Sequence, residues 1–306
     1  MDLSNTNRHV YIHIGFGKTG TSSIQDMMFT GRMKLAEAGI LYPEVGLHGS
    51  AHHLLSNVSN RGGNNPAVIS QLQKIRDVFL SGPYTKLVIS SENLCFSTQE
   101  LTSHYKDAFS DFGTKIIVFV RRQEALIESA FLEWVKQGWD HGGSVERYFK
   151  HHHGSFEFTN RIAPWVTVFG KQAIEAHLYD SRLANDVNLQ FLRAIDVSAQ
   201  VLPSGTFRSN TSLLPDFAEL VGIIDKAGVP SEIRREAIDL LIGLSKQFKS
   251  CSQTRLVGEA LGQEIRDRYA SSNRDFAEEY LSAVERDLFL EDKVIQQTHL
   301  ETKPAR

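Results

Sequence analysis

Residues 9–25, HVYIHIGFGKTGTSSIQ, constrain the chain most. A short apolar run (Val10, Tyr11, Ile12, Ile14) enters two glycines, and a lysine, a glycine and a cluster of hydroxyl residues follow. Ile24, Met27, Met28 and Leu35 then repeat at helical spacing until Gly39, a natural stop. A strand, a glycine turn and a helix N-terminus in succession make an anion site, because backbone N–H groups point outward there and the helix dipole adds partial positive charge. Gly17, Thr19, Gly20, Thr21, Ser22 and Ser23 are candidate contacts, the last three and Thr19 through hydroxyl donors, and Lys18 adds a full charge.

The rest of the first half alternates strand and helix signals. ILYPEV (40–45), KLVISSE (86–92), KIIVFVR (115–121) and IEAHLYD (174–180) read as strands, and PAVISQLQKIRDVFL (66–80) reads as a helix ending at Gly82-Pro83. Residues 46–66, rich in Gly, His, Ser and Asn, read mostly as loop. Strands alternating with helices predict βαβ units and a parallel sheet. From about residue 212 the pattern turns helical, with apolar stripes in LLPDFAELVGIIDKAG and SEIRREAIDLLIGLSKQF and a last helix over DFAEEYLSAVERDLF. The expectation is one α/β domain over 1–306, with a nucleotide-binding core at 1–182 and a mostly helical part at 183–306.

Bulk properties narrow the function classes. A net charge of -3 argues against general nucleic-acid binding but leaves room for a local basic pocket. Cys95 and Cys251, far apart, form neither a disulfide framework nor a metal spacing, which fits a reducing compartment. MDLSNTNRHV has no apolar core of signal-peptide length, and no stretch approaches the roughly 20 apolar residues of a membrane span. A cytoplasmic location, with no stable membrane insertion, is expected.

A Walker loop spells G-x-x-x-x-G-K-[ST]. Gly15 and Gly20 keep its glycine spacing, but Thr21 stands where the lysine belongs, and Lys18 comes two residues before the second glycine. This Lys-x-Gly-Thr order resembles the 5′-phosphosulfate loop of sulfotransferases that use 3′-phosphoadenylyl sulfate (PAPS), and HIGFGKTGTSSIQ looks especially like that of bacterial carbohydrate-type members. A second match lies in KIIVFVRRQEALIESAFLEWVKQ (115–137). Family members end a strand in Arg and place a Ser eight residues on, the two meeting the nucleotide 3′-phosphate; here these are Arg121 and Ser129. Softer echoes are RIAPWVTVFG followed by IEAHLYD, FRSNTSL (207–213) with Arg208 in an Arg-x-Asn-x-Ser arrangement, and IRDRYASSNRDFAEEYL (265–281).

The resemblance implies a P-loop-type three-layer fold with a central parallel sheet and a helical C-terminal part. It implies transfer of the sulfuryl group from PAPS to a hydroxyl or amine of a carbohydrate-like acceptor, with no metal. Lys18 would face the bridging oxygen of the leaving phosphate. Two candidates for the general base are Glu92, ending LVISSE near the sheet's C-terminal edge, and His53 in SAHHLL. The HHH run at 151–153 reads as a solvated loop rather than a metal site. Adenine-stacking aromatics match no motif, and Phe207 and Trp165 are the candidates. A P-loop kinase or NTPase, and a catalytically inactive nucleotide-binding protein of the same fold, are the alternative readings.

Overall fold

The computed structural model describes residues 7–56, 66–138, 144–183, 186–202, 213–248 and 254–291. Five strands form one all-parallel sheet: β1 (His9–His13), β2 (Ile40–Leu41), β3 (Lys86–Ser90), β4 (Gly113–Val120) and β5 (Ile174–Leu178), in the order β2-β3-β1-β4-β5. β1 lies between β3 and β4, with Ile12 opposite both Ile89 and Ile116. The chain leaves β1 toward β2 on one side and returns to β4 on the other. The carboxyl end of β1 is therefore where the order reverses, and ligands of open parallel sheets bind at such a point.

Side chains alternate across the strands and face two separate cores. Val10, Ile12, Ile14, Leu87, Ile89, Ile116 and Val118 pack with residues from α3 (Pro66–Ser81), α4 (Gln99–Phe109), α5 (Gln123–Gln137), α7 (Phe158–Phe169) and α11 (Glu259–Tyr280). Tyr11, Val88, Ile117 and Phe119 instead meet α1 (Thr21–Thr30), α2 (Arg32–Glu37) and α8 (Val187–Ala194). Helices thus cover both faces, which is why the inner strands carry β-branched runs rather than alternating polarity. Among the described residues no helix is long and apolar enough to cross a membrane.

Several boundaries differ from the sequence expectations. The strand ILYPEV shrinks to β2. KLVISSE stops at Ser90, so Glu92 does not end a strand but opens a 3-10 helix, Glu92–Phe96, capped by the Ser91 hydroxyl. The helical face through Leu35 is shared by α1 and α2, which break at Gly31, where an added Cβ would lie 2.3 Å from Leu202 Cδ2. The expected last helix is also two: α11 ends at Tyr280, and α12 (Ala283–Phe289) starts afresh from a reciprocal cap between Ser282 and Glu285. His151 and His152 end α6 (Val145–His152) and His153 begins a 3-10 turn, so the HHH run is helical rather than a loop. His152 packs against Trp134 and Tyr148.

The helical C-terminal part comprises α9 (Ala218–Lys226), α10 (Ser231–Phe248), α11 and α12. Among its attachments to the α/β part is a buried carboxylate. Glu128 on α5 accepts from the backbone N–H groups of Leu256 (2.8 Å) and Val257 (3.1 Å) and from Arg255 (3.2 Å). A buried donor left without an acceptor costs about 1–3 kcal/mol. Glu128→Ala is therefore expected to lower unfolding free energy by about 2 kcal/mol or more in urea titrations, and a change within error of zero would refute the fastening role.

Candidate functional site

The site grows from the turn between β1 and α1. Gly15 has φ +44° and Gly20, the residue preceding α1, has φ +84°, both in the left-handed region that suits glycine. Space demands glycine as well. A Cβ on Gly15 would lie 2.6 Å from Thr21 Cγ2 and 3.5 Å from Glu92 Cα, and one on Gly20 would lie 2.9 Å from Val187 Cγ1. Lys18, between them, also adopts φ +70°, a conformation that costs a non-glycine residue about 1–2 kcal/mol. Backbone strain of this kind clusters at ligand-binding turns, which makes Lys18 a candidate functional residue. Among the described residues, no backbone N–H from Gly17 to Ser22 bonds to a backbone carbonyl. The turn therefore offers a row of donors at a helix N-terminus.

The hydroxyls divide their work. Thr19, expected to serve as a donor to ligand, is buried and donates to Phe16 O at 2.6 Å, so its side chain holds the turn together. Thr21 is buried against Gly15, and Ser22 is exposed. Ser23 accepts from the Asn188 side chain at 2.9 Å, which ties α1 to α8.

Two elements bring charge to this turn. Lys18 Nζ donates to Glu133 Oε2 at 3.0 Å, and Lys136 Nζ reaches the same oxygen at 2.8 Å. Burial works to raise the Glu133 carboxyl above its ordinary value, but its bonds and charge interactions with Lys136 and Lys18 outweigh that and bring it down to about 2. Ser129, one turn before Glu133 on α5, shares the face that meets Lys18. Arg121 follows β4 directly, and its Nη1 makes a long 3.4 Å bond to Lys18 O. The guanidinium sits 5.7 Å from the Tyr179 ring centroid, and no carboxylate lies within ion-pair distance of it among the described residues. Loss of water holds Arg121 below the ordinary arginine value; Arg255 adds to this, while Tyr179, Glu128 and Asp180 work against it.

Glu92 and His53, far apart in sequence, come together on the other side of the turn. Glu92 Oε1 lies 3.8 Å from His53 Nε2, while its Oε2 accepts from Gln25 Nε2 at 2.7 Å. His53 Nδ1 lies 2.8 Å from Ser91 Oγ, which already accepts from Asn93 N. The remaining hydroxyl proton of Ser91 can therefore go to Nδ1, placing the ring proton on Nε2 toward the carboxylate. The neighbouring His52 is an architectural residue. Fully buried, it accepts from Ser90 N and donates to Pro43 O, and burial pushes it down to about 4, so it stays neutral.

Other candidates resolve differently. Trp165 is fully buried and donates its indole N–H to Leu94 O, which removes it as an adenine-stacking residue. Arg208 and Phe207 lie outside the described residues. No cluster of His, Cys, Asp and Glu suited to a metal ion occurs among the described residues. Sequence reasoning missed Gln25, Glu133 and Lys136. Their only signal was helical spacing: Gln25 falls beside the buried Ile24, and Glu133 four residues beyond Ser129. Comparisons with protein-family models, with curated proteins and with solved structures find no match to this chain.

Two stability measurements test this description. Lys18→Gly relieves the left-handed strain and Lys18→Ala keeps it, while both lose the ion pair. The glycine variant is therefore expected to be the more stable by about 1 kcal/mol, and equal stabilities would contradict a strained lysine. A carboxyl lowered from 4.5 to about 2 stabilises the fold above pH 4.5, and that contribution is lost as pH falls toward 2. The stability gap between wild type and Glu133→Gln should be widest above pH 4.5 and close toward pH 2; a gap independent of pH would show that Glu133 is not so perturbed.

Proposed function

We propose that the protein is a PAPS-dependent sulfotransferase that sulfates a hydroxyl or amine of a carbohydrate-like acceptor, on a P-loop-type fold. The observation that carries this reading is the conjunction at the end of β1. A row of open N–H groups, a strained lysine two residues before the Gly20-Thr21 pair, and an arginine free of carboxylate partners among the described residues surround one turn. That set suits a nucleotide with two separate phosphate groups. The 5′-phosphosulfate lies on the turn and Lys18. Arg121 and Ser129 take the 3′-phosphate, Arg121 through a fork of donors suited to phosphate oxygens. Thr21 occupies the position of a Walker lysine and Lys18 comes two residues before the second glycine, which disfavours a kinase or NTPase.

In the proposed reaction the acceptor oxygen attacks the sulfur of PAPS. A new S–O bond forms as the bond from sulfur to the 5′-phosphate oxygen breaks, giving the sulfate ester and 3′-phosphoadenosine 5′-phosphate (PAP). The acceptor's proton passes to Glu92 or His53. Lys18 balances the charge that develops on the departing phosphate oxygen, a role met by a fixed cation without metal. To do so, the ligand displaces Glu133 from Lys18. The pairing of Glu92 with His53 beside Gly15 supports their place on the acceptor side of the sulfuryl group.

Calorimetry and turnover test the proposal. PAP should bind with little or no ATP-Mg affinity, and PAPS should be consumed with one acceptor of a saccharide, lipid-linked saccharide, phenol and amine panel. Arg121→Ala should weaken PAP by about 2 kcal/mol and barely affect the analogue lacking the 3′-phosphate. Tight ATP-Mg binding with none for PAP would overturn the reading, and equal losses for both ligands would remove Arg121 from the 3′-phosphate.

A further inference from the structure

Gln25 is the polar residue that α1 least requires. The helix buries Ile24, Met27 and Met28 against an apolar cluster, and Gln25 is itself only 2% exposed. A buried primary amide without partners is costly, and among the described residues its hydrogen bond is the one to Glu92 Oε2 at 2.7 Å, which offsets that cost. That bond crosses from the helix that begins at the phosphate-binding turn to the 3-10 helix that carries Glu92. It occupies one carboxylate oxygen and leaves the other, Oε1, facing His53.

We propose that Gln25 is a positioning residue for Glu92. It locks the carboxylate so that Oε1 is the oxygen presented to the acceptor, and it ties the placement of the base to the helix that holds the donor. This rests on the sulfotransferase reading and on Glu92 as the base. A carboxylate with both oxygens free rotates about its last side-chain torsion, and each rotation moves its acceptor lone pairs away from the acceptor hydroxyl. The Gln25 amide removes that freedom while leaving Oε1 without a hydrogen bond to Gln25. The amide touches neither nucleotide nor acceptor, so its effect should fall on the rate of the chemical step and leave donor affinity alone.

The test is Gln25→Met, which keeps the volume, the burial and a good helix former but removes the donor. With PAPS and the acceptor from the panel, kcat is expected to fall about 10- to 100-fold, the magnitude of a small misplacement of a catalytic group. The KM for PAPS and the calorimetric affinity for PAP should stay within about twofold of wild type. In a Glu92→Gln background the same substitution should cost nothing further, because no base remains to be positioned. A purely structural Gln25 would instead lower PAP affinity and thermal stability along with kcat, and its loss would add to that of Glu92→Gln. Gln25→Asn, whose shorter amide cannot reach Oε2, is the second variant should Gln25→Met fold poorly, and it should show the same split. Wild-type kcat in either folded variant overturns the positioning role alone. A wild-type protein that neither binds PAP nor turns over PAPS overturns the sulfotransferase reading, and this inference with it.

Discussion

The parallel hydrogen bonding of β1 to both β3 and β4 is the constraint on which the rest of the molecule depends. It brings three chain segments, distant in sequence, to one carboxyl edge in fixed register: His13 stands opposite Ser90 and Ile117. Each segment then contributes one chemistry. The segment after β1 supplies backbone donors and Lys18, the one after β3 supplies Glu92, and the one after β4 supplies Arg121 and the helix with Ser129 and Glu133. A shift of one residue in either pairing would turn the strand's own side chains toward the opposite core and move these segments out of line with one another.

Around that edge, small side chains and buried polar contacts set distances. Gly15 lacks a Cβ, so Glu92 rests directly against the turn. His52, neutral between Pro43 O and Ser90 N, sews the segment carrying His53 to the end of β3. Tyr179 and Val187 close over Gly20 from the far side. The charged groups hold one another in turn: Lys18 with Glu133, Arg121 with the Lys18 carbonyl. The glycine turn, the end of β3 and the start of α5 are thus held together by contacts within the chain, and the Lys18–Glu133 pair is the one that the proposed ligand would have to open.

Much of this was legible in the sequence, and the reasons for the remainder are physical. β3 and β4 announced themselves as β-branched runs of buried-strand length, β1 as a short apolar run ending in glycine, and the turn was readable because its glycines, lysine and hydroxyls are adjacent in the chain. Glu92, His53, Arg121 and Ser129 were nameable as candidates, since each sits at a recognisable offset from a strand or a motif. Helix breaks at Gly31 and Ser282 were not, because the apolar spacing runs straight through both. Gly31 is set by Leu202, far away in sequence, and Ser282 by a cap that competes with helix continuation. The partners Gln25–Glu92, Lys18–Glu133 and Glu128–Leu256 are likewise contacts between distant segments, which no periodicity encodes.

The thiol of Cys95 sits within the same short 3-10 helix as Glu92, 2% exposed, and burial pushes its ionisation up to about 12. Alkylation requires both a thiolate and an approach path, and the folded state denies each. Capture of this sulfur by a small alkylating reagent therefore reports the moments when the turn bearing Glu92 lifts from the core, so the chain carries its own chronometer of local opening at the edge of its candidate site.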